Sequence, residues 1–139
     1  MMRVLGLDVG ERRIGVALSD PLGLTAQPLT VLARRDLVRD LEAIRGFITQ
    51  HGVETVVVGL PLTMQGAHGP QAQRITAFAQ TLRRELALPV ELVDERLTTV
   101  QGERALLEMD TSRRKRKQVI DQVAAQLILQ HFLDVRRTA

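Results

Sequence analysis

Hydrophobic and polar positions alternate along residues 3–9 (RVLGLDV) and again along 13–19 (RIGVALS), with Gly10-Glu11-Arg12 between them. That pattern predicts two short strands joined by a hairpin turn. The stretch PLGLTAQPLTVLAR carries Pro21, Gly23 and Pro28 and reads as a loop entering a third strand near 28–33. From Asp36, a candidate N-cap, Leu37, Leu41, Ile44 and Ile48 recur at helical spacing until Gly52 ends the pattern.

ETVVVGLPL follows, and its three consecutive valines suit a strand buried on both faces. A Gly- and Pro-rich loop leads to Pro70, which fits the first turn of a helix whose apolar face is Ile75, Phe78, Leu82 and Leu86. LPVELV reads as a fifth strand ending in Asp94-Glu95-Arg96. Thr98 and Gln101 have capping-box spacing and predict a short helix to about Leu107. After a basic run, Ile120, Val123, Ala124 and Leu127 form the stripe of a final helix. The order β-β-β-α-β-α-β-α-α predicts an α/β fold. Its mixed five-stranded sheet is a three-strand antiparallel meander plus two parallel strands, with helices on both faces. Without internal repeat or linker, residues 1–139 read as a single domain.

The absence of cysteine removes disulfides, zinc–thiolate sites and thiol catalysis. No apolar run reaches the length of a membrane span, and the N-terminus shows no leader pattern. The expectation is a soluble, cytoplasmic protein without membrane contact. Net charge is only +3, but Arg113, Arg114, Lys115, Arg116 and Lys117 form one unbroken basic run, and Arg12 and Arg13 a smaller pair in the first turn. A solvated loop accounts for such a run as well as function does; the functional reading is contact with nucleic-acid phosphates. With no Trp or Tyr and three Phe, a platform that stacks successive bases is disfavoured.

Asp8 is the misfit, because strands disfavour Asp and a carboxylate there needs pairing, water or a cation. Gly6 and Gly10 flank it at i±2 and leave room for a ligand or another backbone. Asp94 and Glu95 stand at a strand's carboxyl end, where open α/β sheets build their sites. Asp121, on the last helix, has Ala124, Ala125 and Ile128 as neighbours, a face suited to packing on the sheet. Each acid has an ordinary explanation: a turn hydrogen bond for Asp8, an exposed turn for Asp94 and Glu95, an i,i+4 pair with Lys117 for Asp121. Brought together, three acids would repel one another unless cations sat between them. Hard oxygen ligands suit Mg²⁺ or Mn²⁺. Two such ions ~4 Å apart can activate a water and stabilise the leaving oxygen of a phosphodiester. His51, His68 and His131 have no metal-ligand spacing, and no nucleophile elbow, Walker A loop or dinucleotide fingerprint occurs.

GLDVGERRIGVALSD, VVVGLPLTMQGAHGPQAQ, VDERLTT and RKRKQVIDQVAAQLILQHFLD together closely resemble the YqgF/RuvX family. That family has an RNase H-like fold and is described as Holliday-junction resolvases and as pre-16S rRNA nucleases. The resemblance implies catalytic metal ligands at Asp8, Glu95 and Asp121, a basic residue at Lys117, and a substrate groove lined by Gly59 to Gln73. Periodicity leaves Asp94 as the alternative to Glu95. The expectation is a Mg²⁺- or Mn²⁺-dependent nuclease on structured nucleic acid, either precursor rRNA or branched DNA, leaving a 5′-phosphate by analogy with the fold. Symmetric cutting of two strands would add a homodimer. The alternative is a non-catalytic RNA-binding ribosome-assembly factor, against which the full set of acids speaks. An actin-like ATPase fragment fails on size, since that cleft needs two such domains.

Overall fold

The computed structural model describes residues 3–63, 65–97 and 113–138, with the backbone alone for 97, 113–119 and 138. Five strands form one sheet in the order β3-β2-β1-β4-β5: β1 Arg3–Val9, β2 Arg13–Ser19, β3 Ala26–Ala33, β4 Val53–Leu60 and β5 Val90–Asp94. β1 and β2, and β2 and β3, are antiparallel; β1 and β4, and β4 and β5, are parallel. The meander and the two crossover strands therefore stand as the sequence pattern predicts. The capping-box helix predicted after Thr98 lies outside the described residues.

β1 is the central strand, and its alternation divides the core. Leu5, Leu7 and Val9 pack with α1 (Leu37–His51) and α2 (Pro70–Leu86) on one face. Val4 packs with α3 (Arg113–Thr138) on the other, together with Ala17, Val57, Val93, Ile128 and Leu129. Both faces are covered, which is why the β4 valines run without polar interruption. β3 is an edge strand, and so accepts Pro28 at a register shift opposite Val16 and Ala17.

Each helix has a local cause. Asp36 caps α1 by accepting the Arg39 N–H at 2.9 Å, and Gly52 ends it with φ of 64°, a left-handed value glycine reaches without a Cβ clash. Pro70 opens α2, where a missing N–H costs nothing. α3 begins at Arg113, so Arg113 to Lys117 form its first turns and not a loop ahead of it. That helix carries Gln126 and Gln130, whose side chains bond the Ala26 carbonyl and the Ala26 N–H and tie α3 to the start of β3.

Candidate active site

Asp8 shares a face with Val4 and Gly6, and so points toward α3; it is 6% exposed. Its partner in β2 is Gly15. In β4 the register Leu7↔Val58 continues to Gly59 beside Asp8. Neighbouring strands stand ~4.8 Å apart, so a glycine lies close on either side of this carboxylate.

Other acids occupy the space those glycines leave. Glu95 opens a short 3-10 turn directly after β5 and is 3% exposed. A Cβ built at Gly59 would stand 2.8 Å from Glu95 Oε1. The Glu95 carboxylate therefore lies over Gly59, the β4 residue beside Asp8. On the other side, a Cβ at Gly15 would stand 2.0 Å from the backbone oxygen of Asp121. α3 thus lies directly on β2 at the level of Asp8. Of the two expectations for Gly6, a ligand or another backbone, the second holds: it seats α3, for its Cβ would meet Leu129 Cβ at 2.8 Å and the Ala125 carbonyl at 3.2 Å. The glycines that open space beside Asp8 are its cross-strand neighbours, and pairing is invisible to a single-strand pattern.

Asp121 sits at the same level, but its carboxylate is turned one pleat away. Its Oδ2 accepts from Arg13 Nε at 2.9 Å, a half-buried pair. Arg13 and Gly15 are two apart on β2 and so share the α3 face. Among the described residues, no three His, Asp or Glu side chains stand close enough to hold one ion between them. Glu95 lies over the glycine that flanks Asp8, and the Asp121 carboxylate is held by Arg13. Arg13 is thus a strand residue paired with an acid, whereas Arg12 is exposed in the turn. The contacts of the Arg113 to Lys117 side chains lie outside what the structure describes.

Asp94 takes a different direction. Its carboxylate accepts the Arg96 backbone N–H at 2.9 Å and pairs with the Arg96 guanidinium at 2.7 Å. The Arg96 side-chain hydrogen bond holds the Asp94 carboxyl below its ordinary value. Arg96 also underlies the loop ahead of α2, where Gly66 (φ of 83°) passes 3.1 Å from its Nη1 measured from a built Cβ.

An arginine not expected as part of this region secures the turn after Asp8. The Arg34 N–H donates to the Arg12 carbonyl and its Nη1 to the Gly10 carbonyl, both at 2.9 Å. Arg34 Nε faces Asp40 at 3.5 Å, and Asp40, only 2% exposed, also accepts the Arg35 N–H at 3.1 Å. The Arg34–Arg35 pair followed by Asp40 was the only sequence signal available.

The donor set suits a small hard cation. Mg²⁺ and Mn²⁺ favour carboxylate oxygens, and Mg²⁺ commonly takes one or two carboxylates with water and phosphate completing the shell. Asp8 and Glu95 are the two buried carboxylates whose chemistry fits such a pair.

Residues 2–135 match the family model described as "RuvX: Holliday junction resolvase". A protein of Moorella thermoacetica is 59% identical over 133 residues, covering 96% of this chain and 95% of its own length. One of Myxococcus xanthus is 54% identical over 136 residues, covering 98% and 90%. Both carry the name "Putative pre-16S rRNA nuclease". Among solved structures, T. thermophilus RuvC in complex with Holliday junction substrate aligns with a TM-score of 0.60 at 16% identity, over 99% of this chain and 96% of that one. The fowlpox virus Holliday junction resolvase aligns at 0.56 and 12% identity, over 96% and 99%. At such identities the likeness is one of fold, the RuvC-like RNase H fold.

Proposed function

From the fact that this chain belongs to the RuvX family of nucleases, we propose that it is a divalent-metal-dependent endonuclease that processes the 5′ end of precursor 16S rRNA. The observation that carries this reading is the placement of two buried carboxylates, Asp8 beside Gly59 and Glu95 over it, at a strand position without a side chain. The names of relatives at 48–59% identity favour RNA over branched DNA as substrate.

In this reading Asp8 and Glu95 would hold the cation, with Asp121, paired here with Arg13, as the third acid of the set. A bound Mg²⁺ or Mn²⁺, singly or as a pair, would supply Lewis-acid polarisation of the phosphate and a water of lowered pKa. The protein's own residues do the positioning. The central strand fixes Asp8 rigidly, and the 3-10 turn delivers Glu95 from the far side of β4. Arg13 is placed to exchange Asp121 for a substrate phosphate, an exchange of one anionic partner for another. Arg12 in the turn and the basic opening of α3 supply further phosphate contacts. The absence of stacking aromatics from these elements suits recognition of backbone and shape. Ribosomal RNA as substrate places the reaction in the cytoplasm.

The test is cleavage of a precursor 16S rRNA 5′-end fragment and a four-way DNA junction in parallel, each with Mn²⁺. Cutting of the RNA at a defined position, with the junction bound but uncut, supports the reading. Cutting of the junction alone would replace it with resolution of branched DNA, where two symmetric cuts call for a homodimer. Binding of RNA without any cutting would leave an assembly factor on a nuclease scaffold.

A further inference from the structure

The acids face α3, but β1 has a second face, and at the same end of the strand it opens a cavity. Val9, Gly10, Arg34, Gln71, Ile75 and Phe78 line a space of about 140 Å³, with Glu11 and Arg74 at its rim. It lies between the β1–β2 turn and the first turns of α2. Gly10 follows Asp8 by two residues of extended chain, roughly 7 Å. The turn that forms one wall of this cavity is thus the turn that follows Asp8.

Its size and lining select one class of occupant. Apolar cavities of roughly 150 Å³ accept a single benzene ring. Here Val9, Ile75 and Phe78 form a buried apolar base, and the Arg34 guanidinium above Phe78 presents a flat face to a ring. The Arg34 guanidinium lies over the Phe78 ring, 5.3 Å from its centroid, and is fixed there by the Gly10 carbonyl and Asp40. The wall is therefore pre-organised. At the mouth, Gln71 offers both an amide donor and a carbonyl acceptor, and Arg74 and Glu11 face one another at 3.8 Å. A flat, fixed guanidinium and an adaptable amide at the rim form a site for a heterocycle with polar edges.

We propose that this cavity receives one unstacked base of the substrate strand, preferentially a single-ring pyrimidine, at a nucleotide adjacent to the scissile phosphate. The inference rests on the nuclease reading for the position of that phosphate. A strand crossing the β1–β2 turn with a phosphate at Asp8 brings the neighbouring nucleotide to the cavity mouth. Base selection of this kind differs from a stacking platform, which needs several aromatic faces in a row. A single pocket needs only one flat face, and the partly exposed Arg34 guanidinium, seated on Phe78, supplies it.

The test separates base capture from cleavage. A precursor 16S rRNA 5′-end fragment is prepared as a series with one abasic nucleotide at each position around the cut. Binding is measured with Ca²⁺ and cutting with Mn²⁺. The wild-type protein should lose roughly tenfold in affinity at one position beside the cut, in keeping with the loss of one stacked base. A purine there should bind more weakly than a pyrimidine. Gln71 is exposed, so Gln71→Trp can block the mouth without disturbing the core. That variant should bind the whole series equally, at the level of the wild type with the abasic RNA. Equal binding of the series by the wild type, or undiminished discrimination by Gln71→Trp, would overturn the pocket. Discrimination without cutting would overturn the nuclease reading and leave the pocket standing. Failure to bind the RNA at all would overturn both.

Discussion

Gly59 lies beneath Glu95, so closely that a Cβ on Gly59 would stand 2.8 Å from the Glu95 Oε1. The missing side chain on β4 is what lets an acid from the turn after β5 reach the central strand. Without that gap, two elements of the sheet could not bring carboxylates to one point.

Gly59→Ala should therefore displace Glu95 and the Ile128 methyl, which the new Cβ would approach to 2.4 Å. The Ile128 side chain can yield, at a stability cost of about 1–3 kcal/mol. The Glu95 carboxylate must move too, and a misplacement of about 1 Å is expected to slow cleavage by about a hundredfold. Circular dichroism and single-turnover cleavage of the same variant separate the two effects. Cleavage at the wild-type rate would contradict a role for Glu95.

Gly15→Ala should act on the fold instead. The atom in its way, 2.0 Å from the built Cβ, is the Asp121 backbone oxygen, so α3 must move as a body. Overpacking of this kind reaches or exceeds about 3 kcal/mol, a fall of about 10 °C in melting temperature for a chain of this length. A thermal melt checks it.

The sheet was largely legible because each strand carries its own pattern: alternation in β1 and β2, the valine run in β4. Helix ends were legible where Asp36, Gly52 and Pro70 mark them. The start of α3 was not, since five basic residues suit a loop and a helix alike. The acids stood out individually, Asp8 by its placement in a strand. The choice of Glu95 as the residue that reaches toward Asp8 was not legible, because alternation ends where β5 passes into a 3-10 turn. The Arg13–Asp121 pair spans 108 positions, and the Gly59–Glu95 approach depends on strand order. Such relations arise from topology, which local patterns do not contain.

Arg13→Gln should free Asp121 and remove one phosphate contact. The expected result is weaker binding of precursor rRNA without divalent metal, with the salt dependence of log K reduced by about one unit of slope. A slope equal to that of the wild type would show that Arg13 only braces Asp121.

Asp20 provides a pH-dependent contact far from the acids. Its carboxylate accepts the N–H groups of Thr25 and Leu24 at 3.0 and 2.7 Å and shapes the loop between β2 and β3. Chiefly the Thr25 bond holds its pKa below the ordinary 3.8. With the folded value depressed, the contact is complete above pH 3.8 and is lost as pH falls through the folded value. An NMR titration should place the Asp20 midpoint below 3.8, with the Leu24 and Thr25 amide shifts following it. A midpoint at or above 3.8 would contradict the bond pattern.

The most direct test of the central claim is the Mn²⁺-dependent cleavage rate of a precursor 16S rRNA 5′-end fragment by Asp8→Asn beside the wild type. Asn keeps the size of the side chain and removes the charge from the middle of the site. The expected result is an unchanged fold and RNA affinity with cleavage reduced by at least about 10²–10³-fold. Cleavage at the wild-type rate by a folded, homogeneous Asp8→Asn protein would contradict the assignment of catalysis to this carboxylate.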